Sequence, residues 1–282
     1  MFPVGESSTA VSSLALGVQF NLLVAVPTVA ALLAGKRVFI PDQRLGTLFA
    51  EFVRSDWKYL GAAAAVTQVV NALALHFHAP RTFTGAVYAV EGATVAAFQA
   101  VATPPLTYVA TVIYLVGFPF IVLLTYFVLK ARAEEEARRY ALAYVLTVVS
   151  SVPFFLLFPV KVSSLYLSGV EPLMYQLSPA IRYGIYGTDT LVKAFPSLHT
   201  GLSVLAALYA RKADAGYARA MAALAFAIVL STLYLGIHWL ADAAFAGLLV
   251  AGAYLVSQRV AEPRWTAIFR EAVAGVRRYA WP

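Results

Sequence analysis

Two short stretches of the sequence carry histidines at positions where they could perform acid–base or nucleophilic chemistry. The first is FPSLHT at 195–200, directly before an apolar run. Pro196 suits the start of a helix, and the free amides of a helix's first turn attract an anion such as phosphate. Ser197 and His199 fall in that turn, so a phosphate bound there would lie beside an imidazole. The alternative is a helix cap with an incidental histidine.

The second stretch is STLYLGIHWLAD at 231–242, where Gly236 interrupts the apolar run. His238 is expected to open the following helix, and Asp242, four residues later, shares its helical face. A carboxylate that binds one ring nitrogen fixes the tautomer and leaves the other nitrogen as a base or nucleophile. A purely structural His–Asp pair between helices is the alternative.

Together, two histidines with a carboxylate and nearby cations indicate phosphoryl transfer, because the transferred group spreads negative charge over its oxygens. Lys161, Arg182 and Lys193 lie in the long connection at 159–197. A zinc site is the rival interpretation, but zinc usually needs three or more protein ligands. The sequence has no HxxxH spacing and no Cys. We therefore expect no metal ligands.

The composition shows which elements must position these residues. Hydrophobic residues make up 61% of the 282 and charged residues 12%, whereas soluble domains carry about 25% charged residues. A soluble enzyme and a disordered chain are thereby excluded. We predict an all-α, polytopic integral membrane helix bundle with about 6–7 transmembrane helices plus interfacial helices. The predicted spans are 11–34, 59–76, 106–129, 141–158, 198–210 (which is short), 217–235 and 239–256.

The basic residues predict the orientation in the cell membrane. All but four of the 21 Lys and Arg residues fall in loops on one side of the predicted spans. The positive-inside rule makes that side cytoplasmic, together with the C-terminus, and makes the N-terminus and the active site extracytoplasmic. The net charge of +7 is therefore attributed to membrane topology and not to nucleic-acid binding. The four exceptions are Arg81, Lys161, Arg182 and Lys193.

Three further stretches are predicted to be interfacial. Residues 86–102 could form an eighth span, but that would scatter the basic loops, so a helix at the outer interface is favoured. Residues 41–57 and the 261–282 tail are amphipathic and are expected on the cytoplasmic leaflet or packed on the spans. The predicted organisation is one membrane domain: N-terminal transmembrane and interfacial helices (1–140), a catalytic membrane core (141–260) and the amphipathic tail (261–282).

At 196–199 and 231–242 the sequence resembles the type-2 phosphatidic acid phosphatase superfamily, whose second and third motifs are PSGH and SRxxxxxHxxxD. Thr232 stands where the third motif has arginine. Of the first motif, KxxxxxxRP, Lys161 is present but Ser168 occupies the arginine position. The Leu in the second motif and the pattern TxYLxxHxxxDxxAG are similar to the inositol phosphorylceramide synthase branch, an inositolphosphotransferase group.

The resemblance implies a role for each matching residue. His238 would be the nucleophile that becomes a phosphohistidine, and Asp242 its orienting carboxylate. His199 would protonate the leaving oxygen and then activate the acceptor. Ser197 and the neighbouring amides would bind phosphate, as would Lys161. The resemblance implies no metal or other cofactor.

The missing third-motif arginine calls for another cation near the phosphate. Arg182 is the first choice, since a guanidinium can bind phosphate in bidentate fashion. Lys161 is the second choice, and Lys193 is the remaining candidate. The alternative is that these side chains anchor lipid headgroups at the interface.

The predicted function is a metal-independent lipid phosphatase, a phosphoric ester hydrolase that acts on a membrane lipid at the outer face. A phosphotransferase that moves a phosphoryl headgroup between lipids is the alternative. A second alternative is a non-catalytic lipid transporter of the same fold, although transporters usually show broken helices, internal repeats and midplane charges. The lipid, the acceptor and the oligomeric state stay open.

Overall fold

The computed structural model describes residues 6–76, 82–188 and 191–259, and nearly all of the regular secondary structure there is helical. In these ranges the only β-type pairing is an isolated bridge between Val160 and Lys193. The helices are α1 (Glu6–Phe39), α2 (Leu45–Glu51), α3 (Trp57–His76), α4 (Thr84–Glu91), α5 (Pro104–Val112), α6 (Phe118–Arg132), α7 (Glu134–Leu157), α8 (Leu173–Leu177), α9 (Pro179–Thr188), α10 (Leu198–Ala210), α11 (Ala215–Tyr234) and α12 (Leu240–Arg259).

Helices form over all seven predicted spans. Among the described residues, five stretches are long and apolar enough to cross a membrane, and α10 is shorter, as predicted. The all-α, multi-pass membrane bundle predicted from the sequence is therefore confirmed. The five stretches are Leu14–Phe39, Pro104–Arg132, Glu134–Leu157, Ala215–Tyr234 and Leu240–Arg259.

The short helix α10 lies at the centre of the bundle, in contact with α6, α7, α11 and α12. Small residues allow this close packing. Because lipid is as apolar as the helices, van der Waals packing of this kind drives helix association in a membrane. A Cβ built on Gly201 would lie 3.5 Å from Val250 and 3.6 Å from Ala246, both in α12. The first turn of α10 is thus held close to α12.

The basic loops meet at one end of the bundle. Arg132, at the end of α6, donates to the carbonyl of Phe39 at the end of α1 and lies 3.9 Å from Asp214 in the α10–α11 turn. At the C-terminal end of α12, Gln258 donates to Glu136 at the start of α7. These contacts show that the loops rich in Lys and Arg lie at the same end of the helix bundle.

Residues 86–102 do not form an eighth span. Helix α4 ends at Glu91, and the next residue, Gly92, has a φ of +63°, which glycine adopts far more readily than other residues. A 3₁₀ helix, Thr94–Gln99, follows it. Two helices of eight and six residues are each too short to cross a bilayer, which needs about 20 residues.

The amphipathic stretch at 41–57 forms α2 and a π-helical turn, Phe52–Asp56, that leads into α3. The ring of Phe52 packs edge-on against Tyr126 of α6, with the centroids 5.5 Å apart, whereas Phe49 is exposed. This stretch is therefore packed on the spans at Phe52. The predicted amphipathic tail at 261–282 lies outside the described residues.

Candidate active site

The predicted site residues lie at the end of the bundle opposite the basic loops, where α10 and α12 begin. The α11–α12 turn depends on Gly236, which has a φ of +71°. A Cβ at this position would lie 2.7 Å from the carbonyl oxygen of Glu171. Any other residue would therefore force the turn away from the loop that packs on it.

His238 lies in this turn, two residues before α12, instead of opening the helix as predicted. Its Nδ1 is 2.9 Å from the carbonyl oxygen of Ala194 and 3.3 Å from Oδ2 of Asp242. A carbonyl oxygen can only accept, so Nδ1 carries the proton. In the neutral ring this assignment leaves Nε2 with its lone pair, which is the nitrogen a nucleophile needs.

The carbonyl of Ala194 is placed by the bridge between the two ends of the 159–197 loop. The amide of Ala194 donates to the carbonyl of Val160 at 3.0 Å, and the amide of Val162 donates to Leu191 at 2.9 Å. The indole Nε1 of Trp239 donates to the carbonyl of Lys161 at 2.8 Å. The loop is therefore held against the turn that precedes α12, through Ala194 and Lys161.

Asp242 lies in the first turn of α12 and is completely buried. Its Oδ2 accepts from the amide of Trp239 at 2.8 Å as well as from His238. Its Oδ1 has no hydrogen-bond partner in the described part of the chain. The carboxylate therefore faces the imidazole from a fixed position and in a poorly solvated environment.

His199 is the second residue of α10, and its ring lies between two aromatic residues. Tyr114 stacks on it with centroids 4.2 Å apart, and the Tyr114 hydroxyl is 3.3 Å from Nδ1. The Phe118 ring is also 4.2 Å away. Tyr114 belongs to a π-helical turn, Ile113–Gly117, between α5 and α6. Pro119 lacks the amide that would close an ordinary helical turn there.

His199 and His238 line the same cavity, of about 300 Å³. Its wall is largely apolar, with residues such as Leu115, Val148 and Phe155. Among the lining residues not predicted from the sequence are Phe20 of α1 and Thr67 and Gln68 of α3. These lie far from the motifs in sequence, and no pattern in the sequence linked them to the site.

Lys193 is the cation that lines this cavity among the described residues. It directly precedes Ala194, and its Nζ lies 5.4 Å from the centre of the Phe155 ring. Lys161 is half-buried outside the lining, and Arg182 is exposed, with its Nε 3.3 Å from the carbonyl of Tyr175. The geometry thus favours Lys193 over the two cations ranked first from the sequence.

Ser197 and Thr232 have local structural contacts. Ser197 is the N-cap of α10, where its Oγ accepts from the amide of Thr200 at 3.3 Å. It is fully buried and is not among the residues that line the cavity. The Thr232 hydroxyl donates to Val229, and its carbonyl accepts from the amides of Ile237 and His238. Thr232 therefore stabilises the turn that carries His238.

Within residues 6–76, 82–188 and 191–259, no group of three or more His, Asp or Glu side chains lies close enough together to hold a metal ion. His76 belongs to α3, and His78 lies outside the described residues. The reactive groups of the described site are therefore the imidazoles of His199 and His238 and the carboxylate of Asp242.

The family model of the PAP2 superfamily matches the sequence over residues 89–256. The match covers more than half of the chain and includes both histidine motifs. It begins about 100 residues before the first of these motifs, at residue 89. The narrower resemblance to the inositol phosphorylceramide synthase branch stays a prediction. No curated protein and no solved structure matches the chain.

Proposed function

Because the chain belongs to the PAP2 superfamily, whose members are phosphoesterases or phosphotransferases, we propose that it hydrolyses a lipid phosphate ester through a phosphohistidine intermediate. One observation carries this proposal. His238 has Nδ1 held by Ala194 and Asp242, and it shares a cavity with His199. A nucleophile and a separate acid–base group are the two reactive parts that such a reaction requires.

In the first step, Nε2 of His238 attacks phosphorus, and the bond between phosphorus and the ester oxygen breaks. His199 gives a proton to the departing alkoxide, and Asp242 stabilises the positive charge on the His238 ring. In the second step, His199 takes a proton from water, and the resulting hydroxide attacks phosphorus. The P–N bond then breaks, and inorganic phosphate leaves.

The cavity wall supports a lipid as substrate. Its apolar residues come from several helices, and Phe20 and Gln68 come from α1 and α3, before the segment that matches the family. An apolar wall next to a lysine suits a molecule with a charged phosphate and a hydrocarbon chain. We propose that the chain of the substrate lies against this wall.

We also propose that the site faces the outside of the cell membrane. The basic loops lie at the opposite end of the bundle from His199 and His238, as the contacts of Arg132 with Phe39 and Asp214 indicate. Since positively charged loops are retained on the cytoplasmic side, the cavity would open at the extracytoplasmic end. Cysteine labelling on intact cells at positions in the 159–197 loop tests this orientation.

The proposed function is tested by incubating the purified protein in detergent with a lipid phosphate, with and without added alcohols such as inositol. Release of inorganic phosphate is expected and supports hydrolysis. A new phosphodiester in place of free phosphate would support the transferase alternative. If neither product forms with any lipid phosphate, the enzymatic proposal fails and the transporter alternative gains support.

Activity is expected to survive removal of metal ions, because the proposed chemistry uses only the imidazole, carboxylate and ammonium groups of the protein. The measurement is phosphate release before and after dialysis against EDTA, with the protein's fold monitored in parallel. Loss of activity on chelation, with recovery on adding Zn²⁺ or Mg²⁺, would contradict the proposed mechanism.

Replacing Lys193 with methionine is expected to lower kcat/KM by about ten- to a hundredfold, because one charge-assisted contact to phosphate is lost. Methionine keeps a chain of similar length against Phe155. Arg182→Met is the matched control, since Arg182 is exposed and outside the cavity lining. If kcat/KM fell in Arg182→Met and stayed at the wild-type value in Lys193→Met, the phosphate ligand would be the guanidinium of Arg182 instead of Lys193.

A further inference from the structure

The backbone amides around His238 are all satisfied within the protein. The amides of Ile237 and His238 donate to the carbonyl of Thr232, and that of Trp239 donates to Asp242. The next two, of Leu240 and Ala241, donate to the carboxylate of Glu91 at 3.1 and 2.7 Å. The start of α12 therefore has no free amide over residues 237–241.

Glu91 comes from a distant part of the chain, at the end of α4. Its two carboxylate oxygens each accept from one of two successive amides. Two bonds from one rigid group fix both the rotation and the tilt of the helix start, and a negative charge is favourable at a helix N-terminus. Asp242, the next residue of that turn, is thereby held in place.

The same stretch of chain also holds the other side of the turn. Gln99, at the end of the 3₁₀ helix that follows α4, donates from Nε2 to the carbonyls of Tyr234 and Glu171, each at 2.8 Å. Its Oε1 accepts from the amide of Glu171 at 2.8 Å. Residues 91 and 99 therefore clamp the segment that carries His238 on both sides.

We propose that Glu91 is a positioning residue for the proposed reaction: it holds the first turn of α12 so that Asp242 and His238 keep their alignment. This inference rests on the proposed function. Because Glu91 occupies the amides of α12, the phosphate is left to Lys193 and the start of α10. Glu91 should consequently affect the chemical step and not substrate binding.

The test compares Glu91→Ala and Glu91→Gln with Glu171→Ala as the matched control. Glu171 is an exposed carboxylate on the same side of the protein, and its side chain accepts from Gln176 at 3.2 Å. For Glu91→Ala we expect kcat to fall about ten- to a hundredfold, as small misplacements of reacting groups do, with KM within about twofold of wild type. Glu91→Gln should be intermediate, because its amide keeps one acceptor oxygen. Glu171→Ala should match wild type.

Hydrogen–deuterium exchange of the peptide covering 237–243 provides a readout that does not depend on activity. In Glu91→Ala, exchange at the Leu240 and Ala241 amides should accelerate, while α10 stays protected. Wild-type kcat in Glu91→Ala, or a rise in KM with kcat unchanged, would overturn the positioning role. If the wild-type protein releases no phosphate at all, the proposed function fails, and unchanged exchange in Glu91→Ala would separately refute the clamp.

Discussion

Replacing His238 with alanine is expected to abolish turnover, with kcat reduced by a factor of at least about 10⁴, while the protein stays folded. Loss of the only nucleophile removes the covalent route, and no other group can substitute for it. His238 is buried, and its ring contacts Ala194 and Asp242 at one edge. The truncation therefore leaves a small cavity beside an intact turn, which Thr232 and Glu91 continue to hold.

Phosphoenzyme trapping distinguishes loss of the nucleophile from a general loss of structure. His199→Ala is the matched control, because the proposed role of His199 is proton transfer. With an activated aryl phosphate, whose leaving group needs no acid, His199→Ala should still form an acid-labile phosphohistidine and should accumulate it. His238→Ala should form none. Activity like that of wild type in purified, folded His238→Ala would refute the nucleophile assignment.

Replacing Asp242 with asparagine is expected to lower kcat by about 10²–10³, which is less than the loss of His238. The change removes the negative charge that stabilises the imidazolium in the transition state. The tautomer is retained, however, because the carbonyl of Ala194, at 2.9 Å, still accepts from Nδ1. The measurement is steady-state phosphate release, with KM expected to change little.

The isosteric amide makes Asp242→Asn a test of charge and not of packing. One oxygen of asparagine can still accept from the amide of Trp239, as Oδ2 does now. Thermal unfolding in detergent should therefore show a folded protein. If this variant were fully active, the His–Asp pair would be structural, and orientation of the imidazole would depend on Ala194 alone.

Local patterns in the sequence predicted the helical elements correctly, and they predicted one side-chain contact, between His238 and Asp242. The bundle followed from apolar runs long enough to cross a bilayer, and the pairing of His238 with Asp242 followed from their four-residue spacing. The spacing argument succeeded although His238 precedes α12, because Asp242 in the first turn of that helix also accepts from the amide of Trp239 and so reaches back to His238. The broken stretch at 86–102 was harder to interpret, since its length suits a span and only Gly92 marks the interruption.

The choice among the three loop cations could not be made from the sequence. Bidentate geometry favoured Arg182, but whether a side chain reaches the cavity depends on how the 159–197 loop folds. The bridge between Val160 and Lys193 brings Lys193 to the cavity and leaves Arg182 exposed. The contacts of Glu91 could not be inferred from local patterns either, because its partners Leu240 and Ala241 lie about 150 positions away in the sequence.

The sequence by itself determined the helical membrane class, the two histidine motifs and their place at the ends of spans, because helix geometry and transfer into lipid depend on neighbouring residues. Only the tertiary structure decided which groups from separate segments of the chain meet. It joined His199 and His238 in one cavity, added Phe20 and Gln68 to its wall, and brought Lys193 to its edge. Such meetings depend on how helices distant in sequence pack together, and the spacing of residues along one segment carries no information about that packing.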